Sequence, residues 1–406
     1  MILFTLLVMN ALYGFGMFST RPIIPIYAES IGIPFALIGL LVSSYSFLSM
    51  LMAVRAGRWV DRVGSKRMVF LGGSGLLLAF LLPLFSFRLP LLFLSQLIFG
   101  FSQLLVILSI QKTVGNLPGN RDKLITAHSL SAAFGDMLGP LVSGFTFAHY
   151  GFGFSFGLAA ATTLAALILG CLLKSHHWRV GASNMQEAYP YSGSTWTLLK
   201  HVNLRKSLII SGVGLYSKEL IVAYFPLYGM KIGMSVSEIG IILSISAMMT
   251  IAVRFIQYQI VQKFGRTQVM TAALFFSAVA FLLIAWTQIP VILAIIIALM
   301  GAGLGIVQPL SIVYALNYTS ADRHGEVLGI RLSINRILQF AAPIIFGGAG
   351  GYFGLQFIFV ANGIIMMTGA YFTRIPPSVE HTLPAEDPLH LSSDEGTESQ
   401  TVRRSV

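Results

Sequence analysis

Six ionisable side chains lie inside long apolar stretches of this sequence, where a charge is costly and usually serves a function. They are His128, Asp136, Glu219, Arg254, Arg331 and Arg336. Desolvation disfavours the charged form of a carboxylate, so Asp136 or Glu219 could take up a proton near neutral pH. The competing interpretation is a structural ion pair, either of Glu219 with Arg254 or Arg336, or of Asp136 with a group across the fifth span.

Helical spacing indicates which of these groups can share a cavity. Arg331 and Arg336 are five residues apart, which is about 140° around a helix. We therefore expect one of them to face a cavity and the other a neighbouring helix or the membrane rim. His128 and Asp136 are eight residues apart, or about 80°, and can line one cavity wall. Lys218 adds a further cation, and the resulting positive excess would suit an anionic substrate.

The composition predicts a membrane protein. The chain of 406 residues is 55% hydrophobic and 10% charged, with a mean hydropathy of +0.79, whereas soluble domains are about 25% charged. The net charge of +11 lies mostly in short loops and does not predict nucleic-acid binding. The single cysteine excludes an intrachain disulfide and a zinc site of the cysteine type. The absence of a phosphate-binding Gly-Lys-Ser/Thr loop argues against an ATP-driven pump. The sequence shows no catalytic cluster, so we expect neither an enzyme nor a bound metal or cofactor.

The apolar stretches predict an all-α integral membrane protein with about twelve transmembrane helices. The predicted spans are 2–26, 36–56, 67–87, 90–112, 124–148, 153–173, 207–229, 236–260, 268–287, 290–315, 326–349 and 355–373. Arg21 and Arg55 fall near predicted span ends, where long cations reach the interface, so we assign them a positional role.

The basic residues predict the orientation in the membrane. Alternate loops carry nearly all the lysines and arginines, whereas the loops on the other side carry only Arg88 and Lys231. The positive-inside rule therefore places the basic loops and both termini in the cytoplasm. We expect a multi-pass protein of the plasma membrane.

The spans divide into two similar halves. Matching residues recur 201 positions apart, as in Pro25 and Pro226 or Gly39 and Gly240, and 203 positions apart in Pro140 and Pro343. Because each half has an even number of spans, the repeats are parallel. We predict a six-helix bundle at 1–173, a cytoplasmic linker at 174–206, a second six-helix bundle at 207–375 and a disordered cytoplasmic tail at 376–406.

A charged stretch between the second and third spans carries a second candidate function. It holds four cations, one carboxylate and two glycines between residues 57 and 67. Asp61 could accept hydrogen bonds from a helix N-terminus, and the cytoplasmic start of the eleventh span near Asp322 and Glu326 is the expected partner. This predicts a latch between the halves that closes in the outward-facing state. The simpler alternative is a basic loop that only sets topology.

The chain resembles the major facilitator superfamily over nearly its whole length. The charged stretch matches the family signature at Gly57, Asp61, Arg62, Gly64, Lys66 and Arg67. A stretch in the fifth span resembles the Gly-x-x-x-Gly-Pro pattern of the family's drug–proton antiporters, at Gly135, Gly139, Pro140 and Gly144. The resemblance implies two six-helix bundles around a central cavity, with Glu219, Asp136 and Arg254 facing inward.

Two departures from the family pattern bear on this resemblance. Many relatives hold an arginine four residues before the glycine that corresponds to Gly100, and this chain holds Gln96 there. That arginine is associated in the family with proton coupling. The second half also lacks the signature, because Gln262 stands where the first half has Asp61.

These features predict a secondary active transporter that works by alternating access. Proton-coupled export of a small, amphipathic organic molecule is the first interpretation, and uptake or exchange of an organic anion is the alternative. An ion channel or a membrane enzyme is less consistent with the sequence, which has no repeated filter segment and no polar cluster at one face. We expect the partners to be a small-molecule substrate, protons and the lipid bilayer, and we expect a monomer.

Overall fold

The apolar stretches form long helices in the computed structural model, which describes residues 2–85, 88–118, 121–173, 178, 202–317 and 324–372. The first half consists of α1 (Ile2–Thr20), α2 (Ile23–Ser30), α3 (Phe35–Val63), α4 (Ser65–Phe85), α5 (Leu89–Gly115) and α6 (Arg121–Leu172). The second half consists of α7 (Val202–Lys231), α8 (Val236–Phe264), α9 (Arg266–Trp286), α10 (Pro290–Asn317), α11 (His324–Phe353) and α12 (Leu355–Phe372).

These helices cross a membrane twelve times, which confirms the predicted fold class. Eleven stretches of the described residues are long and apolar enough to span a bilayer, with α1 and α2 forming one of them. The long helix α6 contains two crossings, because the backbone at Gly151 leaves the helical conformation with φ of 78°. We call the end of the bundle near Gly64 and Gly265 the motif face, and the end near Gly32 and Gly233 the distal face.

Several helix limits differ from the predicted spans. The first span breaks at Arg21 and Pro22, since a proline disrupts the interior of a helix, and it continues as α2 to Ser30. The charged stretch of residues 57–63 is not a loop but the last turns of α3, and Gly64 alone separates α3 from α4. The helix α7 begins at Val202, inside the predicted linker, and the predicted tail lies outside the described residues.

The tight connections between helices recur in both halves at the spacing of the sequence repeat. Glycines in the left-handed region of φ separate consecutive crossings, a conformation in which other residues are strained. They form three pairs: Gly32 with Gly233, Gly64 with Gly265, and Gly151 with Gly354. The same turn chemistry therefore ends equivalent helices in the two halves.

A close helix contact recurs in the same way. A Cβ atom added at Gly100 on α5 would lie 1.6 Å from the carbonyl oxygen of Tyr45 on α3. A Cβ atom at Gly301 on α10 would lie 2.4 Å from the carbonyl oxygen of Ser246 on α8. Residues 45 and 246, like residues 100 and 301, are 201 positions apart. The matching glycines thus allow equivalent backbones to approach each other in each half.

The two halves meet mainly through two helix pairs, α3 with α11 and α6 with α8, and α2 also packs against α7. A Cβ atom at Gly39 would lie 2.3 Å from the carbonyl oxygen of Pro343, and one at Gly240 would lie 2.4 Å from that of Pro140. Both contacts are near the distal face. Residues that repeat in the sequence therefore form the two equivalent halves of one seal.

Candidate functional site

Two neighbouring residues of α7 hold opposite charges from the first half of the chain. The carboxylate of Glu219 accepts a hydrogen bond from the guanidinium of Arg21, and the ammonium of Lys218 donates one to the carboxylate of Asp136. The side chains of Arg21 and Glu219 are only 9% and 7% exposed, and those of Lys218 and Asp136 are 38% and 16% exposed. We call these two ion pairs the central charge cluster.

The Arg21–Glu219 pair continues into a polar chain that reaches α11. Gln339 Nε2 donates to Glu219 Oε1 at 3.1 Å, and Arg336 Nη1 donates to Gln339 Oε1 at 3.2 Å. The guanidinium of Arg21 also lies over the Tyr45 ring, 4.5 Å from its centroid. Each oxygen of Glu219 therefore has a donor, and the chain of contacts links α3, α7, α11 and the α1–α2 turn.

This arrangement corrects two interpretations of the sequence. Glu219 pairs with Arg21 and not with either predicted partner, Arg254 or Arg336. Arg21 is not at the membrane interface, because α2 continues the same crossing from Ile23 to Ser30. Arg21 therefore lies inside the bundle, and its side chain is buried. The break at Pro22, in the middle of an apolar stretch, is the sequence signal that could have identified this arginine.

The Asp136–Lys218 pair lies at a small cavity between the halves. The cavity has a volume of about 30 Å³ and is lined by residues of α1, α6, α7, α8 and α10. Since a water needs roughly 10–15 Å³ of such space, the cavity can hold water but no organic substrate. Arg254 of α8 is exposed and acts electrostatically on Asp136. Arg254 is therefore a further cation, besides Lys218, that interacts with Asp136.

Arg331 lies apart from the central charge cluster. Its guanidinium donates to Gln308 Oε1 at 2.7 Å, and the residue is 6% exposed. Its Nε has no hydrogen-bond partner among the described residues. Arg331 thus faces α10 within the second half, whereas Arg336 contacts Gln339, the residue that donates to Glu219.

His128 is buried where α6 packs against α1. Its backbone carbonyl accepts a hydrogen bond from Asn10 Nδ2 at 3.1 Å, and Ser131 Oγ accepts another from the same amide at 2.7 Å. The imidazole Nε2 has no partner among the described residues. The structure therefore places His128 in a helix contact, and it does not bring its imidazole into hydrogen-bond contact with Asp136.

The glycine–proline stretch of α6 packs on two sides. A Cβ atom at Gly135 would lie 2.5 Å from the backbone of Gly14, and one at Gly139 would lie 2.7 Å from the backbone of Ser19. On the other side, Pro140 and Gly144 meet α8 of the second half. Because Asp136 belongs to the same stretch, α6 joins the central charge cluster to the distal seal.

Asp61 is engaged within the first half. Its Oδ1 accepts a hydrogen bond from Lys112 Nζ of α5 at 2.7 Å, and the two side chains are 44% and 32% exposed. A polar hollow of about 340 Å³ lies beside this pair and is bordered by Gly57. The predicted partner position Asp322 and the side chain of Glu326 lie outside what the structure describes.

The remaining signature residues lie around the short α3–α4 connection. Arg62 and Arg67 are exposed, and Lys66 Nζ donates to the carbonyl oxygen of Leu173 at 3.4 Å. The latch between the halves therefore stays a prediction. In this structure Asp61 is paired with Lys112, and both side chains remain partly exposed at the motif face.

Twelve crossings in two equivalent halves, with ion pairs that join the halves inside the bundle, define a multi-pass membrane transporter. The family model for the Major Facilitator Superfamily matches residues 6–266 and 232–404. The chain belongs to this superfamily, and it is a transporter and not an enzyme.

Two bacterial proteins are similar in sequence along most of their length. Multidrug resistance protein 2 of Bacillus subtilis (strain 168) is 22% identical over 92% of this chain and 94% of its own. Quinolone resistance protein NorA of Staphylococcus aureus (strain MRSA252) is 23% identical over 84% of this chain and 88% of its own.

Solved structures share the fold. A crystal structure of a mutant of the peptide transporter POT superposes with a TM-score of 0.80 at 15% identity, covering 94% of this chain and 95% of that one. The nucleoside transporter NupG superposes with a TM-score of 0.77 at 13% identity, covering 92% and 98%. At such low identity these structures support the architecture alone.

Proposed function

We propose that this chain exports a small amphipathic organic molecule across the plasma membrane in exchange for protons. The observation that carries the proposal is the central charge cluster, in which Lys218 and Glu219 of one helix hold opposite charges from the other half. The positive-inside rule makes the motif face cytoplasmic, together with both termini. One chain suffices for transport, because the site lies between its own two halves.

Alternating access follows from where the two halves touch. The contacts of Gly39 with Pro343 and of Gly240 with Pro140 close the distal face. The central charge cluster lies on the cytoplasmic side of this seal. Opening the distal face must separate the halves there and must therefore break both ion pairs, which makes the pairs a barrier between the two states.

Proton binding at Glu219 lowers this barrier. The charged carboxylate is held by Arg21 and Gln339, and breaking a buried ion pair leaves an uncompensated charge. A protonated Glu219 is neutral and can separate from Arg21 at lower cost. Under this proposal, the paired state seen here, with Arg21 bound to Glu219, is the state in which an exporter would take up its substrate.

The named relatives support export of organic molecules. One of them carries a multidrug resistance name and the other a quinolone resistance name. The relatives favour an amphipathic substrate, and the identity of the substrate in this chain is part of the proposal.

Proteoliposomes with an imposed pH gradient test the proposal. Wild-type protein should move an amphipathic dye against its gradient and acidify or alkalinise the lumen in proportion. Glu219→Gln should abolish this coupled proton movement, and Asp136→Asn should reduce it. The control Glu29→Gln changes a carboxylate at the distal end of α2 and should leave both signals intact. Full proton movement in both cluster variants would refute the proposal.

Transport of an organic anion is a second candidate, favoured by the charges of the interior. Asp136 and Glu219 are outnumbered by five cations: Arg21, Lys218, Arg254, Arg331 and Arg336. Among the described residues, Arg254, Arg331 and Arg336 have no carboxylate within ion-pair distance. Competition of the dye flux by matched anionic and cationic compounds distinguishes the candidates, since an anion transporter is inhibited selectively by the anion.

A further inference from the structure

The second half contains an apolar groove at a place where, in the described part of the first half, two helices lie in direct contact. The groove has a volume of about 780 Å³ and lies between α7, α11 and α12. At the equivalent place in the first half, α6 rests directly on the backbone of α1 through Gly135 and Gly139.

The sequence explains this asymmetry. At the 203-residue spacing that relates Pro140 to Pro343, Gly135 corresponds to Leu338 and Gly139 to Ala342. Both Leu338 and Ala342 line the groove. Leu338 Cδ1 lies 2.5 Å from where a Cβ atom would be at Gly212 of α7. Replacing a glycine by leucine therefore holds α11 away from α7 and leaves space beside it.

The groove has the shape and chemistry of a site for a hydrocarbon chain. Along α11 it extends from Ile334 to Ala349, or about 22 Å, which exceeds the ~15 Å of one hydrocarbon leaflet. It opens sideways to the bilayer, since Ile209 is 48% and Ile345 is 67% exposed. Arg205, at the motif face, is the one charged residue among the described residues that line it.

We propose that this groove binds an anionic phospholipid, with an acyl chain along α11 and the phosphate at Arg205. A basic residue between transmembrane helices at the cytoplasmic side is suited to an anionic headgroup. An amphipathic substrate fits less well. Apart from Arg205, the groove is lined by aliphatic and aromatic side chains, so the polar groups of such a substrate would be buried with few hydrogen-bond partners. The lipid site itself goes beyond the proposed function and shares with it only the orientation of the chain, whereas its effect on the transport cycle rests on the proposed function.

The lipid would act on the transport cycle through the helices that it contacts. The helix α7 carries Lys218 and Glu219, and α11 carries Pro343 of the distal seal. A bound acyl chain keeps these two helices at the separation seen in this structure. Occupancy of the groove therefore stabilises the state in which the distal face is closed.

Lipid binding to the full-length protein in detergent tests this inference. The probes are phosphatidylglycerol and phosphatidylcholine with identical acyl chains, and the readouts are retained lipid by native mass spectrometry and the shift in Tm. Wild type should prefer phosphatidylglycerol by about fivefold. Arg205→Gln should remove this preference, whereas Lys206→Gln, which removes the neighbouring charge outside the groove, should keep it.

Filling the groove separates this site from ordinary surface lipid. Ala342→Phe should abolish retention of both lipids, and Ala341→Phe is a second filling variant on the same helix if the first fails to fold. Equal effects of Arg205→Gln and Lys206→Gln, or retained phosphatidylglycerol in a folded filling variant, would show annular lipid only and would overturn the proposal. Neither readout depends on transport, so failure here leaves the proposed function untouched.

Discussion

Gly39 of α3 and Pro343 of α11 approach each other so closely that no side chain fits between them. The Pro343 carbonyl also accepts a hydrogen bond from the Tyr224 hydroxyl, so α7 joins the same contact. The equivalent pair, Gly240 and Pro140, repeats this approach between α8 and α6. The distal face is thus sealed twice, by residues that match each other in the sequence repeat of the two halves.

Adjacent glycines of α11 provide a matched test of this seal. A Cβ atom at Gly347 would lie 2.5 Å from the Tyr224 hydroxyl and 3.0 Å from the carbonyl of Phe35, whereas one at Gly348 meets no described atom within 4 Å. We expect Gly347→Val to open the distal face and to lower the transport rate, and Gly348→Val to do neither. Spin-label distances between the distal ends of α3 and α11 measure the opening. Equal distances in the two variants would contradict the seal.

Neutralising Arg21 alone should destabilise the protein more than neutralising Arg21 and Glu219 together. Breaking a buried ion pair costs about 3–5 kcal/mol because one charge remains uncompensated. We therefore expect Arg21→Gln to lower Tm strongly, and Arg21→Gln combined with Glu219→Gln to recover most of that loss. The double variant should remain uncoupled from protons. A double variant as unstable as the sum of the single ones would argue against a direct pair.

The Lys218–Asp136 pair should contribute less to stability than the Arg21–Glu219 pair does. Lys218 is 38% exposed, and partly hydrated pairs contribute about 0–1 kcal/mol. We expect Lys218→Gln to change Tm little and to reduce transport, since it removes one of the two charges that α7 offers to the first half. If Lys218→Gln lowered Tm as much as Arg21→Gln does, the two pairs would contribute equally to stability despite their different exposure.

Local chemistry accounts for what the sequence predicted. Apolar length predicted the twelve crossings, and matching residues such as Gly39 and Gly240 predicted the two similar halves. The pairing of Glu219 with Arg21 was not predictable in this way. The two residues are 198 positions apart, and the depth of Arg21 depends on α1 continuing past Pro22 as α2. The charged end of α3 reads as a loop in the sequence, because the turns of a helix that extend beyond the bilayer carry charged residues as a loop does.

Asp61 offers a test that separates the latch from the contact seen here. If Asp61 grips the start of α11 in the outward-facing state, Asp61→Asn should cut transport by about tenfold, which corresponds to ~1.4 kcal/mol, while membrane insertion is normal. Lys112→Gln removes the same-half partner that lies 2.7 Å from Asp61 and should have a smaller effect, because it frees Asp61 for the latch. Transport rates in proteoliposomes, normalised to the amount of inserted protein, compare Asp61→Asn with Lys112→Gln. Equal losses would assign Asp61 to its ion pair with Lys112 and remove the latch.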